Sequence, residues 1–365
     1  MNRIIIAAGG TGGHLFPAIA VADELRKMNK DTDIQFLGAK GKIEERVVPG
    51  RGYKLKTIEI AGLKRSLNPR NLGLFIKLKR AIKETRKYLN EQKPELVFGT
   101  GGFVSGPALW ASTKMGIPSV IQEGNYYPGI TVKLLARKLD KVIVNFGGTK
   151  KFLKRQDNIE VMPYPVRENL KKYSRIEACE YFKLDPFKKI LFVLGGSQGA
   201  HSINRVLMEN IIMLFKQNIQ LVWQTGERDY NSIENKINGL SGIKVMKFID
   251  DIDYAYSAAD LVLCRSGIST AMELAYFGAA ALFVPYPHAS ENHQEKNARA
   301  FVEKNAAEMI LDKDLDTLLA DKILDLMGNN KRLGELRENV SGISDKNAAS
   351  KIAGLLIELA EKNKN

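Results

Sequence analysis

Two glycine-rich segments have the residue types and the spacing of turns that bind an anion. Residues 9–13 read Gly-Gly-Thr-Gly-Gly and residues 195–199 read Gly-Gly-Ser-Gln-Gly, and each segment follows a short apolar run and precedes a helical pattern. Such a turn directs backbone N–H groups and the positive end of a helix dipole towards one point, and both favour negative charge. A tight turn without a ligand is the alternative for either segment alone. The repetition in corresponding places favours binding of a diphosphate.

His14 directly follows the first glycine segment. In the first turn of the predicted helix, the positive end of the helix dipole disfavours the imidazolium form and keeps the ring available as a base. A helix-capping or packing histidine is the alternative interpretation. The position beside an anion-binding turn favours a general base.

A third segment combines a buried strand with polar groups at the start of a helix. Residues 261–264 are apolar, Arg265, Ser266 and Gly267 follow, and the next helical pattern contains Glu273. N–H groups at a helix start, hydroxyls and a carboxylate together suit a nucleoside diphosphate sugar, and Glu273 can accept hydrogen bonds from two ribose hydroxyls. The alternatives are an ordinary first-turn helix acid for Glu273 and a surface ion pair for Arg265.

The spacing disfavours other nucleotide and metal sites. A dinucleotide fingerprint beginning at Gly10 would require a small residue where Leu15 stands, and a Walker-type phosphate loop is absent from the sequence. Asp251 and Asp253 resemble a metal-binding D-x-D pair, but they precede a helical pattern, where acids act as N-terminal caps. We therefore expect neither a dehydrogenase nor a metal-dependent sugar transferase.

These segments lie in an alternation of short apolar runs and helical patterns, which predicts parallel sheets wrapped by helices. The pattern restarts near residue 189, after the proline-containing segment 161–167, and this predicts a hinge between two doubly wound α/β domains. A final amphipathic pattern over residues 347–359 predicts a helix with no strand after it. The predicted strands cover residues 2–8, 33–37, 55–60, 96–98, 119–122, 141–144, 189–194, 220–224, 244–248, 261–264 and 281–284.

Composition limits the class of protein. The 365 residues are 44% hydrophobic and 26% charged, which is typical of a globular protein large enough for two domains. Cys179 and Cys264 are far apart, no secretory pattern opens the chain, and no apolar run approaches the roughly 18 residues that suggest a membrane span. We therefore expect a cytosolic protein whose contact with a membrane is peripheral.

The net charge of +14 predicts an anionic partner. The excess is concentrated over residues 64–87, and a helical pattern from about 72 to 89 carries Lys77, Arg80 and Lys83 beside an apolar face. An interfacial helix on an anionic membrane has this pattern, and a solvated charged face over a packed core is the alternative. Nucleic acid is disfavoured because no aromatic-rich recognition module accompanies the charge.

Considered together, the motifs resemble the MurG family of N-acetylglucosaminyltransferases. The matching segments are residues 9–14, 99–107, 195–200 and 265–267, together with the pattern His293-Gln294-x-x-Asn297-Ala298. They occur in the family's order and span nearly the whole chain.

The resemblance implies the GT-B fold, in which two Rossmann-like doubly wound parallel-sheet domains face a cleft. It implies an acceptor- and membrane-binding domain at residues 1–164 and a UDP-GlcNAc-binding domain at residues 165–346. A helix at about 347–365 would pack back on the first domain.

The implied reaction is the inverting transfer of GlcNAc from UDP-GlcNAc to the 4-hydroxyl of N-acetylmuramic acid in lipid I, which gives lipid II and UDP in peptidoglycan synthesis. The resemblance implies no metal and no other cofactor. His14 and Glu123 remain two candidates for the general base. The substrate-binding positions implied by the family are Thr11, Gly12, Gly13, Asn125, Arg167, Ser197, Ile249, Ile268, Ser269, Thr270, Ala271, Met272, Glu273 and Gln294. The chain departs from the family pattern on the acceptor side, at Phe103, Gln122, Gly124 and Val132.

The implied location is the cytoplasmic face of the inner membrane, with the basic 64–87 region on the anionic surface and with cell-wall and cell-division machinery as further partners. Three rival functions share parts of the pattern. A diacylglycerol sugar transferase would differ in its acceptor, a UDP-sugar-binding module would bind the donor without turnover, and a nucleic-acid-binding protein would use the charge alone.

Overall fold

The computed structural model describes residues 1–60, 70–167, 169–196, 199–237 and 240–363, with only the backbone of residues 70–75. Residues 64–69 of the basic region, Ser197 and Gln198 therefore lie outside the described residues. The chain divides into two units, unit 1 with Met1–Glu168 and Asp345–Asn365, and unit 2 with Asn169–Ser344.

Unit 1 is built on a sheet of seven parallel strands in the order β3-β2-β1-β4-β5-β6-β7. The strands are β1 (Arg3–Ala7), β2 (Asp33–Ala39), β3 (Lys54–Ile58), β4 (Leu96–Gly99), β5 (Ser119–Glu123), β6 (Lys141–Val144) and β7 (Ile159–Val161). Its helices are α1 (Gly12–Met28), α2 (Glu44–Gly50), α3 (Arg70–Gln92), α4 (Gly102–Lys114), α5 (Ile130–Leu135) and, from the end of the chain, α15 (Ala348–Lys362). Short 3₁₀ turns cover Ala136–Lys138 and Gly147–Phe152.

Residues 4–7 of β1 are all apolar, with no alternation of polar and apolar side chains, because both faces of the sheet are covered. Ile4 and Ile6 are buried on the face of the sheet covered by α1 and α15, and Ile5 and Ala7 are buried on the face covered by α3, α4 and α5. A parallel strand with helices on both faces has no polar side, so its sequence is a continuous hydrophobic run. Helix α15 packs against α1 and completes one of these two layers.

Unit 2 repeats the arrangement with six parallel strands in the order β10-β9-β8-β11-β12-β13. The strands are β8 (Ile190–Leu194), β9 (Gln220–Gln224), β10 (Ile243–Met246), β11 (Leu261–Cys264), β12 (Ala281–Phe283) and β13 (Glu308–Met309). The helices are α6 (Arg175–Phe182), α7 (His201–Glu209), α8 (Ile211–Lys216), α9 (Glu227–Ile237), α10 (Ile252–Ala258), α11 (Ile268–Phe277), α12 (His293–Val302), α13 (Leu315–Gly328) and α14 (Asn330–Ser341). Short 3₁₀ turns cover Ser290–Asn292 and Asp312–Asp314.

The prediction of two doubly wound parallel α/β sheets is confirmed. Each predicted strand overlaps an observed strand, with boundaries that differ by at most two residues. The sequence missed β7 and β13, which are edge strands of three and two residues and too short to show a period.

In each sheet the strand order reverses beside the first strand, at β1 in unit 1 and at β8 in unit 2. Ligands of open α/β sheets bind outside the carboxyl ends of the strands at this reversal. Residues 9–13 of the first predicted glycine turn lie there after β1, and Gly195, Gly196 and Gly199 of the other lie there after β8.

Candidate active site

The first glycine turn connects β1 to α1. Gly9 and Gly10 have φ values of +153° and +85°, and Thr11 is the extended N-cap residue of α1. The N–H of Gly10 does not point at open space, because it donates to both carboxylate oxygens of Glu44 at 3.1 Å. The N–H of Gly10 is therefore engaged within the protein. Gly12 and Gly13 begin the helix, where N–H groups have no intrahelical carbonyl partner.

His14 is the third residue of α1 and is partly buried. Its Nδ1 atom lies 2.8 Å from the backbone carbonyl oxygen of Thr100, and the Thr100 hydroxyl donates to the His14 carbonyl oxygen at 2.6 Å. A carbonyl oxygen only accepts hydrogen bonds, so Nδ1 carries the proton and the neutral ring has its lone pair on Nε2. Burial lowers the pKa of His14 below 6.5, against a smaller opposing effect of the bond to Thr100. The ring is therefore neutral at pH 7.

A second glycine turn, between β4 and α4, provides the space for this ring. Gly101 and Gly102 have φ values of +88° and +73°, and a Cβ on either residue would lie 3.0 Å from ring atoms of His14. Phe103, one of the departures from the family pattern, packs against Gly10, where an added Cβ would lie 2.7 Å from its ring. Two glycine turns from different parts of the chain thus meet at His14.

Glu123, the other candidate base, is the last residue of β5 and is buried. Its Oε1 atom accepts from the backbone N–H and the side-chain amide of Asn125 at 2.9 and 3.0 Å, and its Oε2 atom accepts from the N–H of Gly129 at 2.7 Å. The carboxylate therefore holds the loop that follows β5. Asn125, predicted to bind the donor, is part of this same arrangement.

The remaining predicted residues of unit 1 surround the start of α1. Thr11 is exposed, and Gly13 accepts a hydrogen bond from the hydroxyl of Tyr164 through its carbonyl oxygen. The guanidinium carbon of Arg167 lies 5.6 Å from the ring centroid of Phe16. Unit 1 thus brings Thr11, Gly12, Gly13, His14 and Arg167 to one end of α1.

In unit 2, Gly196 and Gly199, which follow β8, are held by backbone contacts. The N–H of Gly199 donates to the carbonyl oxygen of Gly196 at 3.1 Å, and a Cβ on Gly199 would lie 2.2 Å from the carbonyl oxygen of Thr225. Gln224, at the end of β9, donates to the Gly196 carbonyl and accepts from the N–H of Ile249, both at 2.9 Å. Gln224 therefore links the glycine turn to Ile249, a predicted donor-site residue.

Helix α11 carries the largest group of predicted donor-site residues. Ile268 is its first residue, Ala271 and Met272 are buried, and Ser269 and Thr270 are partly buried. These residues form the first turn and a half after β11, at the carboxyl end of the sheet.

Glu273 lies in the second turn of α11, so the alternative of a first-turn helix acid is wrong. The side chain is buried, and its Oε2 atom accepts a hydrogen bond from the hydroxyl of Tyr256 at 3.0 Å. Tyr256, which belongs to none of the motifs in the sequence, orients the carboxylate from α10.

The start of α12 contacts both the loop before it and the turn between β11 and α11. The backbone carbonyl of Gln294 accepts from the hydroxyl of Ser266 at 2.8 Å, and its side-chain oxygen accepts from the N–H of Tyr286 at 2.9 Å. Arg265 is partly buried, and its guanidinium pairs with Asp312 at 2.5 Å, with the two side chains 14% and 18% exposed. The structure therefore shows the ion pair of the alternative interpretation, in a partly buried rather than an exposed position.

The acidic pair proposed as helix caps lies at the start of α10. Asp251 occupies the N-cap position but makes no cap bond with its side chain, and accepts instead from the hydroxyl of Tyr181 at 3.0 Å. Asp253, in the first turn, accepts from the N–H of Lys171 at 2.8 Å. Across the described ranges, no group of three or more His, Cys, Asp or Glu side chains is arranged to hold a metal ion.

A cavity of about 610 Å³ in unit 2 lies at the opposite edge of the sheet, at the amino ends of β8, β11 and β12. Its two arginines, Arg175 and Arg337, are bound within the protein. Arg175 donates to the carbonyl of Ala258 and pairs with Asp260 at 2.9 Å, and Arg337 donates to the Asp260 carbonyl at 2.9 Å. This cavity is therefore distinct from the residues predicted to bind the donor.

Sequence reasoning missed Glu44, Thr100, Gln224 and Tyr256. Gln224 carries a usable signal, since a polar residue that ends an apolar strand run lies at the carboxyl edge of a parallel sheet. Thr100 acts on His14 through its backbone carbonyl, so no side-chain pattern reports it. Glu44 and Tyr256 are recognised by their burial, which requires the tertiary structure.

Comparisons with known proteins agree with the fold and with the motifs. Residues 4–144 match the glycosyltransferase family 28 N-terminal domain, and residues 190–353 match the glycosyltransferase family 28 C-terminal domain. A UDP-N-acetylglucosamine–N-acetylmuramyl-(pentapeptide) pyrophosphoryl-undecaprenol N-acetylglucosamine transferase from Parabacteroides distasonis is 38% identical over 364 residues, with 99% of each chain covered. The transferase of the same name from Finegoldia magna is 36% identical, also over 99% of each chain.

Solved structures give the same assignment. The crystal structure of Acinetobacter baumannii MurG matches with a TM-score of 0.78 and 26% identity, covering 98% of this chain and 100% of that chain. A putative UDP-N-acetylglucosamine 2-epimerase from Listeria monocytogenes, at 14% identity and a TM-score of 0.71 over 96% of this chain and 94% of that chain, shares the fold alone. The fold class is that of GT-B glycosyltransferases, and the chain belongs to glycosyltransferase family 28, in its MurG family.

Proposed function

We propose that this chain transfers GlcNAc from UDP-GlcNAc to the 4-hydroxyl of N-acetylmuramic acid in lipid I, with His14 as the general base. The products are lipid II and UDP. Family membership and the transfer named for the relatives support the reaction. The contact of His14 Nδ1 with the Thr100 carbonyl carries the assignment of the base, because it leaves Nε2 able to take a proton.

The transfer proceeds as one inverting displacement. The 4-hydroxyl oxygen attacks the anomeric carbon of GlcNAc, its proton passes to Nε2 of His14, and the bond from the anomeric carbon to the diphosphate oxygen breaks. UDP leaves with the electron pair of that bond. A positioned general base contributes about 10²–10⁴-fold to such a step. We assign Glu123 the role of holding the loop after β5, since it accepts hydrogen bonds from Asn125 and Gly129.

Unit 2 binds the donor in this proposal. The buried carboxylate of Glu273 accepts hydrogen bonds from the ribose hydroxyls, and Tyr256 holds that carboxylate in place. The N–H groups at the start of α11 and the turn after β8 stabilise charge on the departing diphosphate, because a helix N-terminus favours an anion. These groups perform the task that a metal ion performs in other sugar transferases, so we propose that none is required.

The lipid acceptor makes a membrane-bound position necessary, and we propose peripheral attachment at the cytoplasmic face of the inner membrane. Within the described part of α3, Lys77, Lys79, Arg80 and Lys83 are exposed, and Ile76 is 50% exposed beside them. Exposed cations next to an apolar side chain are typical of a surface that rests on anionic lipid. No helix in the described ranges has both the length and the apolar character to cross a bilayer. Contact with the cell-wall and cell-division machinery is a further proposal.

The direct test measures transfer of labelled GlcNAc from UDP-GlcNAc to a synthetic lipid I analogue, with EDTA present and a diacylglycerol acceptor in a parallel reaction. Product on the muramyl lipid in EDTA supports the proposal in full. Loss of that product in EDTA, with recovery on adding Mg²⁺, contradicts metal independence. Product on diacylglycerol alone contradicts the acceptor, and donor binding without product on either lipid contradicts the enzymatic function.

A further inference from the structure

A buried carboxylate beside the first glycine turn has no role in the mechanism described so far. Glu44, the first residue of α2, is fully buried. Its Oε1 atom accepts from the N–H of Ala39 at 2.8 Å, and both of its oxygens lie 3.1 Å from the N–H of Gly10. Within the described ranges it forms no ion pair. Burying an ionised carboxylate is costly unless hydrogen bonds compensate, so the N–H groups of Ala39 and Gly10 are essential to its placement.

The surrounding backbone is shaped to admit this side chain. A Cβ on Gly9 would lie 2.0 Å from Oε1 of Glu44, and a Cβ on Gly38 would lie 2.7 Å from its Cγ. Glycine at both positions therefore opens the space that the carboxylate fills. Because Gly9 and Gly10 also have positive φ values, the turn is a conformation that other residues rarely adopt.

Contacts continue from this turn to the ring of His14. A Cβ on Gly102 would lie 3.2 Å from the carbonyl oxygen of Gly9 and 3.0 Å from the His14 ring. Gly102 thus lies close both to the carbonyl oxygen of Gly9 and to the ring of His14, so the Gly101–Gly102 turn connects the first glycine turn to the histidine. A displacement of the Gly9–Gly10 turn would therefore shift Gly102, against which the histidine ring packs.

We propose that Glu44 is a positioning residue for the transfer: its carboxylate takes the N–H of Gly10, fixes the first glycine turn, and through that turn holds His14 against Thr100. In a dinucleotide-binding turn a ligand phosphate takes backbone N–H groups of this kind, whereas here an internal carboxylate does so. This inference rests on the proposed role of His14 as the base. In this proposal Glu44 acts through the turn and not by its own contact with substrate.

Two substitutions separate the effects of charge and of contact. Glu44→Gln keeps one oxygen that can accept from Ala39 and Gly10, but it places an NH₂ donor against the N–H of Gly10. Glu44→Ala removes every acceptor. Glu45→Gln is the matched control, since Glu45 is the next residue of α2 and is exposed.

The kinetic test is a double-mutant cycle with His14→Ala. Glu44→Gln is expected to lower kcat at least about tenfold, a part of the 10²–10⁴-fold that a positioned base contributes, with the KM for UDP-GlcNAc unchanged. In the His14→Ala background the same change is expected to lower kcat less than twofold, because the residue through which Glu44 acts is gone. Equal factors in both backgrounds overturn the proposal, as does a lower melting temperature with unchanged kcat.

The tautomer of the His14 ring can be measured independently of enzymatic activity. In the ¹⁵N NMR spectrum the wild-type ring of His14 is expected to show the Nδ1–H tautomer, and Glu44→Gln is expected to shift that signal towards a mixture while Glu45→Gln leaves it in place. An unchanged His14 signal in folded Glu44→Ala or Glu44→Gln protein overturns the positioning role. Full activity of His14→Ala would instead overturn the proposed base, and so distinguishes failure of the function from failure of this inference.

Discussion

The Nδ1 atom of His14 lies 2.8 Å from the carbonyl oxygen of Thr100, a residue 86 positions away in the sequence. This contact determines the tautomer of the ring, because the partner can only accept a hydrogen bond. The lone pair of the neutral ring is then on Nε2, which is the atom that can receive a proton.

Replacing His14 by alanine is expected to lower kcat by about 10²–10⁴-fold, the usual contribution of a general base, while the Kd for UDP-GlcNAc stays the same. Transfer kinetics and calorimetric donor titration measure the two effects. His288→Ala is the matched control, because that histidine is exposed. Turnover of His14→Ala at the wild-type rate would remove His14 from the role of base.

The pH dependence of kcat/KM is expected to show an acidic limb with a midpoint below 6.5. Burial lowers the pKa of His14 in the folded protein, so the ring stays unprotonated as the pH falls through 6.5 and loses its lone pair only below that value. The same shift makes protonation oppose folding, so unfolding free energy declines as the pH falls below about 6.5. A limb at or above 6.5 contradicts the assignment.

Glu273→Gln is expected to raise the KM for UDP-GlcNAc by about 10- to 100-fold, since a hydrogen bond to a charged group contributes about 1.5–3 kcal/mol and 1.4 kcal/mol is a factor of ten. Tyr256→Phe removes the hydroxyl that donates to Glu273 and is expected to produce a smaller change in the same direction. The exposed Glu303 supplies the control substitution Glu303→Gln. An unchanged KM in Glu273→Gln would exclude ribose binding by this carboxylate.

The two glycines with positive φ that follow β8, Gly196 and Gly199, form a matched pair for substitution. Gly196 and Gly199 both have φ of +75°, but a Cβ on Gly196 meets no atom of the described residues within 4 Å, whereas one on Gly199 would lie 2.2 Å from the carbonyl oxygen of Thr225. Gly196→Ala is expected to cost about 1–2 kcal/mol of backbone strain. Gly199→Ala is expected to lower the melting temperature further, because the carbonyl belongs to the backbone and cannot swing away. Equal melting temperatures would contradict the contact.

Charge reversal on α3 tests the membrane proposal. Lys79 and Lys83 are exposed and four residues apart, so Lys79→Glu with Lys83→Glu changes one face of the helix. Loss of two cations at about 1 kcal/mol each predicts at least about a 30-fold weaker partition onto anionic vesicles in sedimentation assays. Lys216→Glu with Lys304→Glu changes the net charge equally on exposed positions of unit 2. Equal weakening by both pairs would indicate net charge rather than a membrane-binding face.

Local patterns in the sequence determined the sheets and the turns. A parallel strand that is buried on both faces must be apolar throughout, so runs such as 261–264 identify strands without any knowledge of their neighbours. Glycine is likewise required locally, as at Gly10 and Gly199, where φ is positive. These patterns were sufficient for the fold class and for the family, and they placed His14 at a helix start.

The tertiary structure alone decided which groups surround those residues. Glu44 reaches Gly10 across 34 positions, His14 meets Thr100 across 86, and Arg265 pairs with Asp312 across 47. Each contact depends on which strands are neighbours in the sheet and on which helix covers their ends, and strand order is not contained in the period of any segment. The tautomer of His14 and the burial of Glu44 are therefore properties of the folded chain, because both arise from backbone groups that the fold brings from distant parts of the sequence.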